Sequence, residues 1–137
     1  MERAHDYFEH DADIGIIGRG KTVEASFENA ARAMFAIQCD IDSIRPLEQV
    51  EVNFEEDEVE LALVRWLNAL LAASRERGLA PCDFGLERSG ECWRGWARGE
   101  RWREAVTRGT EVKGATLTML SVSQGPAGWE ARCVVDV

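Results

Sequence analysis

The sequence has no long apolar run, and its first residues are polar. No window holds the roughly 18 or more uninterrupted apolar residues that a membrane-spanning helix needs. Residues 1–6 (MERAHD) lack the apolar stretch of a secretory signal peptide. We therefore expect a cytoplasmic protein that does not associate with membranes.

Closely spaced cysteines are missing as well. The four cysteines form no C-x-x-C pair and are scattered along the chain: Cys39, Cys82, Cys92 and Cys133. Structural zinc sites usually draw their ligands from closely spaced pairs, and two histidines, His5 and His10, are too few to complete one. A chain of this length can bury a full apolar core without disulfides. We expect four reduced thiols that mostly fill core space.

Positive charge is scarce. The chain carries 16 basic and 25 acidic residues, a net charge of −9, and Lys21 and Lys113 are its only lysines. Proteins that bind nucleic acids neutralise phosphates with lysine and arginine, so an acidic chain begins with repulsion. Direct nucleic-acid binding is therefore not expected, and a protein partner is favoured.

The first half of the chain alternates short strands with two helices. Residues 4–18 indicate one or two strands broken near Asp11, and residues 18–20 (GRG) indicate a turn. Apolar residues at three- and four-residue steps predict a helix over residues 23–38, capped by Thr22. After a strand at residues 47–54, a second helix is predicted, with Asp57 as its cap. Glu60 would complete a capping box, and the helix would end near residue 77, before Gly78.

The second half of the chain has the two-residue period of strands. Strands are predicted at residues 82–87 and 92–98 around a turn at residues 88–91 (RSGE), and at residues 112–123 and 129–137 around residues 125–128 (GPAG). No repeat or linker divides the chain. The pattern predicts one α+β domain over residues 1–137, a two-layer sandwich of mostly antiparallel sheet with two main helices.

An acidic cluster near the N-terminus is the first candidate site. In an extended chain Glu9, Asp11 and Asp13 would share one face, and a cation or a basic partner would relieve their repulsion. Carboxylates are hard ligands that suit Mg²⁺, Mn²⁺ or Ca²⁺. A solvated loop or strand edge would carry the same residues.

Two further candidates lie near the C-terminus. The last strand ends on Asp136 and Val137, which places two carboxylates close together, although a solvated strand end explains the same pattern. Lys113 stands among small residues; as an exposed strand lysine it would discourage edge pairing. The chain has no G-x-S-x-G nucleophile motif, and residues 18–22 (GRGKT) lack the full spacing of a phosphate-binding loop. No catalytic residue is predicted.

Several motifs in order resemble those of the archease family. They are an H-x-A-D followed by glycine at residues 10–15 (HDADIG), a helix start similar to G-x-T-x-E-x-A-F at residues 20–30 (GKTVEASFENA), a G-x-E-V-K-A-like segment at residues 109–114 (GTEVKG), and a final aspartate with one aliphatic residue. The resemblance extends over essentially all 137 residues.

The resemblance implies a function and a site. Archeases promote guanylylation and turnover of the GTP-dependent RtcB-type RNA ligase in tRNA splicing and RNA repair, and they are not enzymes themselves. The family's divalent ion, calcium with Mg²⁺ or Mn²⁺ as alternatives, would be held here by Asp13, Asp136 and a main-chain or terminal oxygen of Val137. Lys113 and His10 would serve ligase activation.

The chain departs from the family pattern at four places. Asp11 stands where a threonine is expected, Gly114 replaces an alanine, and Arg108 lies in a segment where a histidine is common nearby. Residues 116–118 (TLT) replace a Thr-Tyr-His-like stretch. These changes argue against a role for a histidine near Lys113 and leave the proposed metal ligands unchanged.

Two other functions remain open. A general chaperone or interaction module would show an exposed apolar groove, whereas a dedicated activator would show an acidic site beside a small docking patch. A metal-dependent hydrolase built on Asp13 and Asp136 would need a general base, and His10 is the only one nearby.

Overall fold

The described residues form two α-helices, one short 3-10 helix and eight strands. The computed structural model describes residues 3–10, 12–103, 106 and 108–137. The helices are α1 (Val23–Gln38) and α2 (Val59–Arg77), and a short 3-10 helix spans Ile41–Ser43. The strands are β1 (His5–His10), β2 (Asp13–Gly20), β3 (Glu48–Glu55), β4 (Leu79–Ser89), β5 (Cys92–Arg101), β6 (Gly114–Ala115), β7 (Ser121–Gly125) and β8 (Gly128–Asp136).

The strands form two antiparallel sheets. The larger sheet has the order β1-β2-β8-β6, with β7 also paired to β8, and the smaller has the order β3-β5-β4. Helix α1 packs on β2, β8 and β4, and α2 packs on β3, β6 and β4, so each helix contacts both sheets. The main core takes fully buried residues from both helices and both sheets, among them Phe27, Trp66 and Trp93. The prediction of an α+β fold with two main helices and antiparallel sheet is confirmed; the extent of the domain stays a prediction.

The predicted start of α1 and end of α2 are confirmed, but the predicted start of α2 is wrong. The Thr22 hydroxyl accepts a hydrogen bond from the Ala25 amide at 3.0 Å, and Gly78 ends α2 in the left-handed conformation (φ 65°). Helix α2 begins after Glu58, which makes no side-chain cap. Asp57 lies one residue before that position, so it cannot form the predicted capping box. Glu56 accepts instead from the Glu58 amide at 3.3 Å and from Arg65 at 2.6 Å.

The predicted turn at residues 18–20 is also wrong, because this segment is the end of β2. A Cβ atom added to Gly18 would lie 2.2 Å from the Ser26 carbonyl oxygen and 2.3 Å from the Ala30 nitrogen. One added to Gly20 would lie 2.6 Å from the Ala25 Cβ. The glycines here allow α1 to cross close to the strand, a role that the sequence pattern does not distinguish from a turn.

The strand predicted at residues 112–123 is interrupted. Within this segment only β6 and β7 form strands paired with β8, and residues 116–120 form no strand between them. Ala115 pairs with Val135 and Ser121 with Arg132, so five residues of one chain segment stand opposite two residues of β8. The segment therefore forms a protruding loop, which we call the 116–120 loop. The two hairpin turns were predicted correctly: Gly90 adopts φ 62°, and β7 meets β8 at the Gly125–Gly128 pair.

The four cysteine thiols are free, as predicted. Cys39 and Cys133 are buried, and burial raises the pKa of Cys39 to about 11 and that of Cys133 to about 12. Cys82 is half-buried and Cys92 is exposed, so the core-filling role holds for two of the four. Within the described ranges, no helix is long and apolar enough to span a membrane.

We predict that Gly18→Ala destabilises the protein by about 1–3 kcal/mol or more, because the added methyl group would collide with the backbone of α1. Urea unfolding followed by circular dichroism measures the loss. Gly125→Ala is the matched control, since a Cβ atom there meets nothing within 4 Å. Equal stability of the two variants would show that α1 does not need this close approach.

Candidate functional site at one end of the larger sheet

The candidate residues meet where β8 ends between its neighbours. His10 pairs with Asp13 across the β1–β2 hairpin, and Gly114 pairs with Asp136 across β6 and β8. The last pair between β2 and β8 is Ile14 with Val135, so the register sets Asp13 opposite Asp136 one step further on. The four positions form one row across β1, β2, β8 and β6.

Two hydrogen bonds donated by backbone amides tie this row to its neighbours. The Val137 amide donates to Asp13 Oδ1 at 3.4 Å, a long contact between residues 124 positions apart in sequence. The Lys113 amide donates to the Asp136 carbonyl oxygen at 2.7 Å. The five residues that the family resemblance implicates therefore lie at the same end of the sheet: His10, Asp13, Lys113, Asp136 and Val137.

Strand alternation determines which side of the sheet the carboxylates occupy. Val135 is fully buried in the main core, so the next residue, Asp136, projects from the opposite face. Asp13 shares that face, because directly opposite residues of an antiparallel pair do so. Asp136 and Lys113 are exposed, and His10 and Asp13 are half-buried. The site is accessible to a partner from the side away from the helices.

The predicted shared face of Glu9 and Asp13 is wrong. The chain reverses direction between His10 and Asp13, and Glu9 pairs with Ile14 rather than following Asp13 along one strand. Glu9 and Asp13 therefore occupy opposite faces of the sheet. The third member of the predicted cluster, Asp11, lies outside the described residues.

Asn68 of α2 is a positioning residue that the sequence pattern did not reveal. Its side-chain oxygen accepts from the Ala115 amide at 2.8 Å, and its side-chain nitrogen donates to the Ala115 carbonyl oxygen at 3.2 Å. This pair of bonds holds the short strand β6 against α2 and so fixes the position of Gly114 opposite Asp136. The only signal in the sequence was a polar residue inside an apolar helical segment.

The donor atoms at this site suit a hard divalent cation. Asp13 and Asp136 offer carboxylates, Val137 offers a backbone oxygen, and neither a thiol nor a cluster of imidazoles accompanies them. In the part of the chain that the structure describes, no three histidine, cysteine, aspartate or glutamate side chains converge as a metal site. An ion bound here would hence complete its coordination with backbone oxygens, water or groups of a partner.

The other candidates from the sequence lie elsewhere. Lys21 is exposed at the start of α1, and His5 packs edge-on against Tyr7 with 6.1 Å between ring centres. Arg108 stacks over Trp102 with its guanidinium carbon 4.1 Å from the ring centre. None of these groups belongs to the row that contains Asp13 and Asp136.

Comparisons with known proteins bear on the family and the fold of this chain. Two helices packed on two antiparallel sheets place this chain among small α+β proteins. A profile of the Archease protein family matches residues 5–137. The chain therefore belongs to the archease family, as the motifs predicted.

Curated relatives and a solved structure extend over the whole chain. Protein archease of Methanosarcina mazei is 33% identical over 98% of this chain and 97% of its own length. Protein archease of Saccharolobus solfataricus is 31% identical over 98% and 99%. The solution structure of Methanobacterium thermoautotrophicum protein 1598 is similar with a TM-score of 0.82, at 26% identity, over 98% of this chain and 99% of that one.

Proposed function

We propose that this chain is an accessory activator of a GTP-dependent RtcB-type RNA ligase in tRNA splicing or RNA repair. Membership of the archease family supports the proposal. The observation that carries it further is the meeting of His10, Asp13, Lys113, Asp136 and Val137 at one end of the larger sheet. In this role the chain forms no covalent intermediate; it promotes guanylylation of the ligase and its release for further turnovers.

The site's charge accounts for how it would act on the ligase. The accessible carboxylates of Asp13 and Asp136 form an anionic surface suited to a cationic region of a protein. With a backbone oxygen of Val137 they would hold a divalent ion, calcium in the first instance and Mg²⁺ or Mn²⁺ as alternatives. When bound, that ion supplies positive charge that stabilises phosphate oxygens. Lys113 adds a flexible cationic group beside Asp136.

The exposed apolar surface favours a dedicated activator over a general chaperone. Among the described residues, the large hydrophobic side chains that are exposed are Tyr7, Leu47, Leu117 and Met119. Leu117 and Met119 share the 116–120 loop, whereas Leu47 precedes β3 in the other sheet. A chaperone that binds many clients would present a continuous apolar groove, and this distribution does not provide one.

We predict that the chain increases multiple-turnover ligation by a purified RtcB-type ligase from the same source. Asp13→Asn and Asp136→Asn should each lose most of that increase, because each removes one of the two carboxylates at the sheet edge. Ligated RNA per ligase molecule and ligase guanylylation are the two readouts.

Asp42→Asn is the matched control, since Asp42 is an exposed aspartate on the 3-10 helix, outside the larger sheet. It should stimulate ligation as the unmodified chain does. If the unmodified chain changes neither ligation nor guanylylation, the proposed function is wrong. Equal loss in all three variants would argue against a role for this particular edge.

We also predict calcium binding by the isolated chain, measured by isothermal titration calorimetry. Asp13→Asn and Asp136→Asn should each weaken calcium binding roughly tenfold or more, since the affinity of such sites follows the number of charged ligands. Asp42→Asn should leave the affinity unchanged. Calcium affinity that is the same in all variants would place any bound ion away from the proposed site.

A further inference from the structure

The 116–120 loop presents two large apolar side chains to solvent. Leu117 is 63% exposed and Met119 is 55% exposed. Residues 116–120 protrude because they stand opposite only Cys133 and Val134 of β8. Leu120 of this loop packs against the main core, whereas the side chains of Leu117 and Met119 are left largely exposed to solvent.

The loop is held firmly against β8 despite its exposure. The Thr116 amide and hydroxyl both donate to the Val134 carbonyl oxygen, at 3.0 and 2.8 Å, and the Val134 amide donates to the Thr118 carbonyl oxygen at 3.0 Å. Within the loop, the Leu120 amide donates to the Leu117 carbonyl oxygen at 3.3 Å. These bonds fix Leu117 and Met119 in position before any partner arrives, which reduces the entropy lost on binding.

Met119 has an unfavourable backbone conformation. Its φ is 55°, and it is the only residue other than glycine with a positive φ among those the structure describes. Glycine or asparagine adopts this conformation at lower cost. Residues with such unfavourable backbone conformations occur mostly at functional positions. The methionine at this position therefore indicates a function in binding rather than in folding.

The loop lies beside the acidic site. Val134, which anchors the loop, precedes Asp136 by two residues, a distance of about 7 Å along a strand. At the other end of the short strand β6, Gly114 pairs with Asp136, and the amide of the preceding residue, Lys113, donates to the Asp136 carbonyl oxygen. The loop and the acidic site therefore lie close together along the last residues of β8.

We propose that Leu117 and Met119 are the apolar anchors by which a basic protein surface docks beside the acidic site. The partner is the ligase, so this inference rests on the function proposed above. The net charge of −9 favours a basic protein surface as the partner of this loop. A second copy of this chain, a nucleic acid or an anionic membrane would each be repelled by that charge. A cationic protein surface with an apolar recess would complement both the acidic site and the exposed side chains of Leu117 and Met119.

The test titrates the chain into a ligation assay and fits the concentration that gives half-maximal stimulation. The double variant Leu117→Ser/Met119→Ser should raise that concentration about tenfold or more, since buried anchor residues dominate binding. Its maximal stimulation should match that of the unmodified chain, because the acidic site is intact. Leu47→Ser is the matched control: Leu47 is 64% exposed but precedes β3, and its variant should behave as the unmodified chain does.

Met119→Asn separates docking from stability. Asparagine tolerates the positive φ, so the melting temperature should not fall, while the half-maximal concentration should still rise. A raised half-maximal concentration in a variant that melts normally supports the inference even if the double variant proves unstable. An unchanged half-maximal concentration in Met119→Asn and in a folded double variant would overturn it.

The outcomes also separate this inference from the proposed function. If the unmodified chain does not stimulate the ligase at all, both are wrong. If it does, and the loop variants titrate as Leu47→Ser does, only the docking inference is wrong. Analytical ultracentrifugation completes the test: a dimer of the unmodified chain that the loop variants dissociate would make a second copy the occupant and contradict the proposal.

Discussion

The pairing of β8 with strands on both sides is the interaction on which the site depends. This strand lies between β2 on one side and β6 and β7 on the other, and its register fixes which residues meet at its end. Asp13 and Val137 are 124 positions apart in sequence, yet the ladder brings them into contact. Bringing distant segments together costs chain entropy, which the buried face of the sheet offsets. Without this pairing, the candidate residues would be isolated charges on separate segments.

Both helices contribute to keeping β8 and its neighbours in place. Helix α1 approaches β2 closely where Gly18 and Gly20 leave room for its backbone, and Trp66 of α2 donates a hydrogen bond to the Phe27 carbonyl oxygen of α1 at 2.9 Å. Asn68, two residues further along α2, holds the two-residue strand β6 through its hydrogen bonds to Ala115. The core therefore determines the geometry of a site that is itself exposed.

The sequence predicted most elements because their local signals agreed with the tertiary structure. The apolar period of α1, its Thr22 cap and the glycine that ends α2 are local features, and each was predicted correctly. Gly18 and Gly20 were misread, since a glycine needed for close helix packing looks the same as one needed for a turn.

The site could be predicted only in part for a similar reason. Motif resemblance selected residues that the register then brought together, but no local pattern shows that Glu9 and Asp13 lie on opposite faces. The alternation of Leu117 and Met119 with threonines is typical of a strand. The interruption at residues 116–120 could not be predicted from this pattern, because it depends on the pairing with β8, where only two residues stand opposite these five. Asn68 was missed because its partner, Ala115, lies 47 positions away.

We expect the chain to contact the ligase at the end of β8. Nuclear magnetic resonance of the ¹⁵N-labelled chain, titrated with unlabelled ligase, measures this contact residue by residue. The first amide signals to shift or broaden should be those of His10, Asp13, Lys113, Met119 and Asp136. Changes confined to the outer face of the smaller sheet, around Trp96 and Arg98, would contradict this expectation.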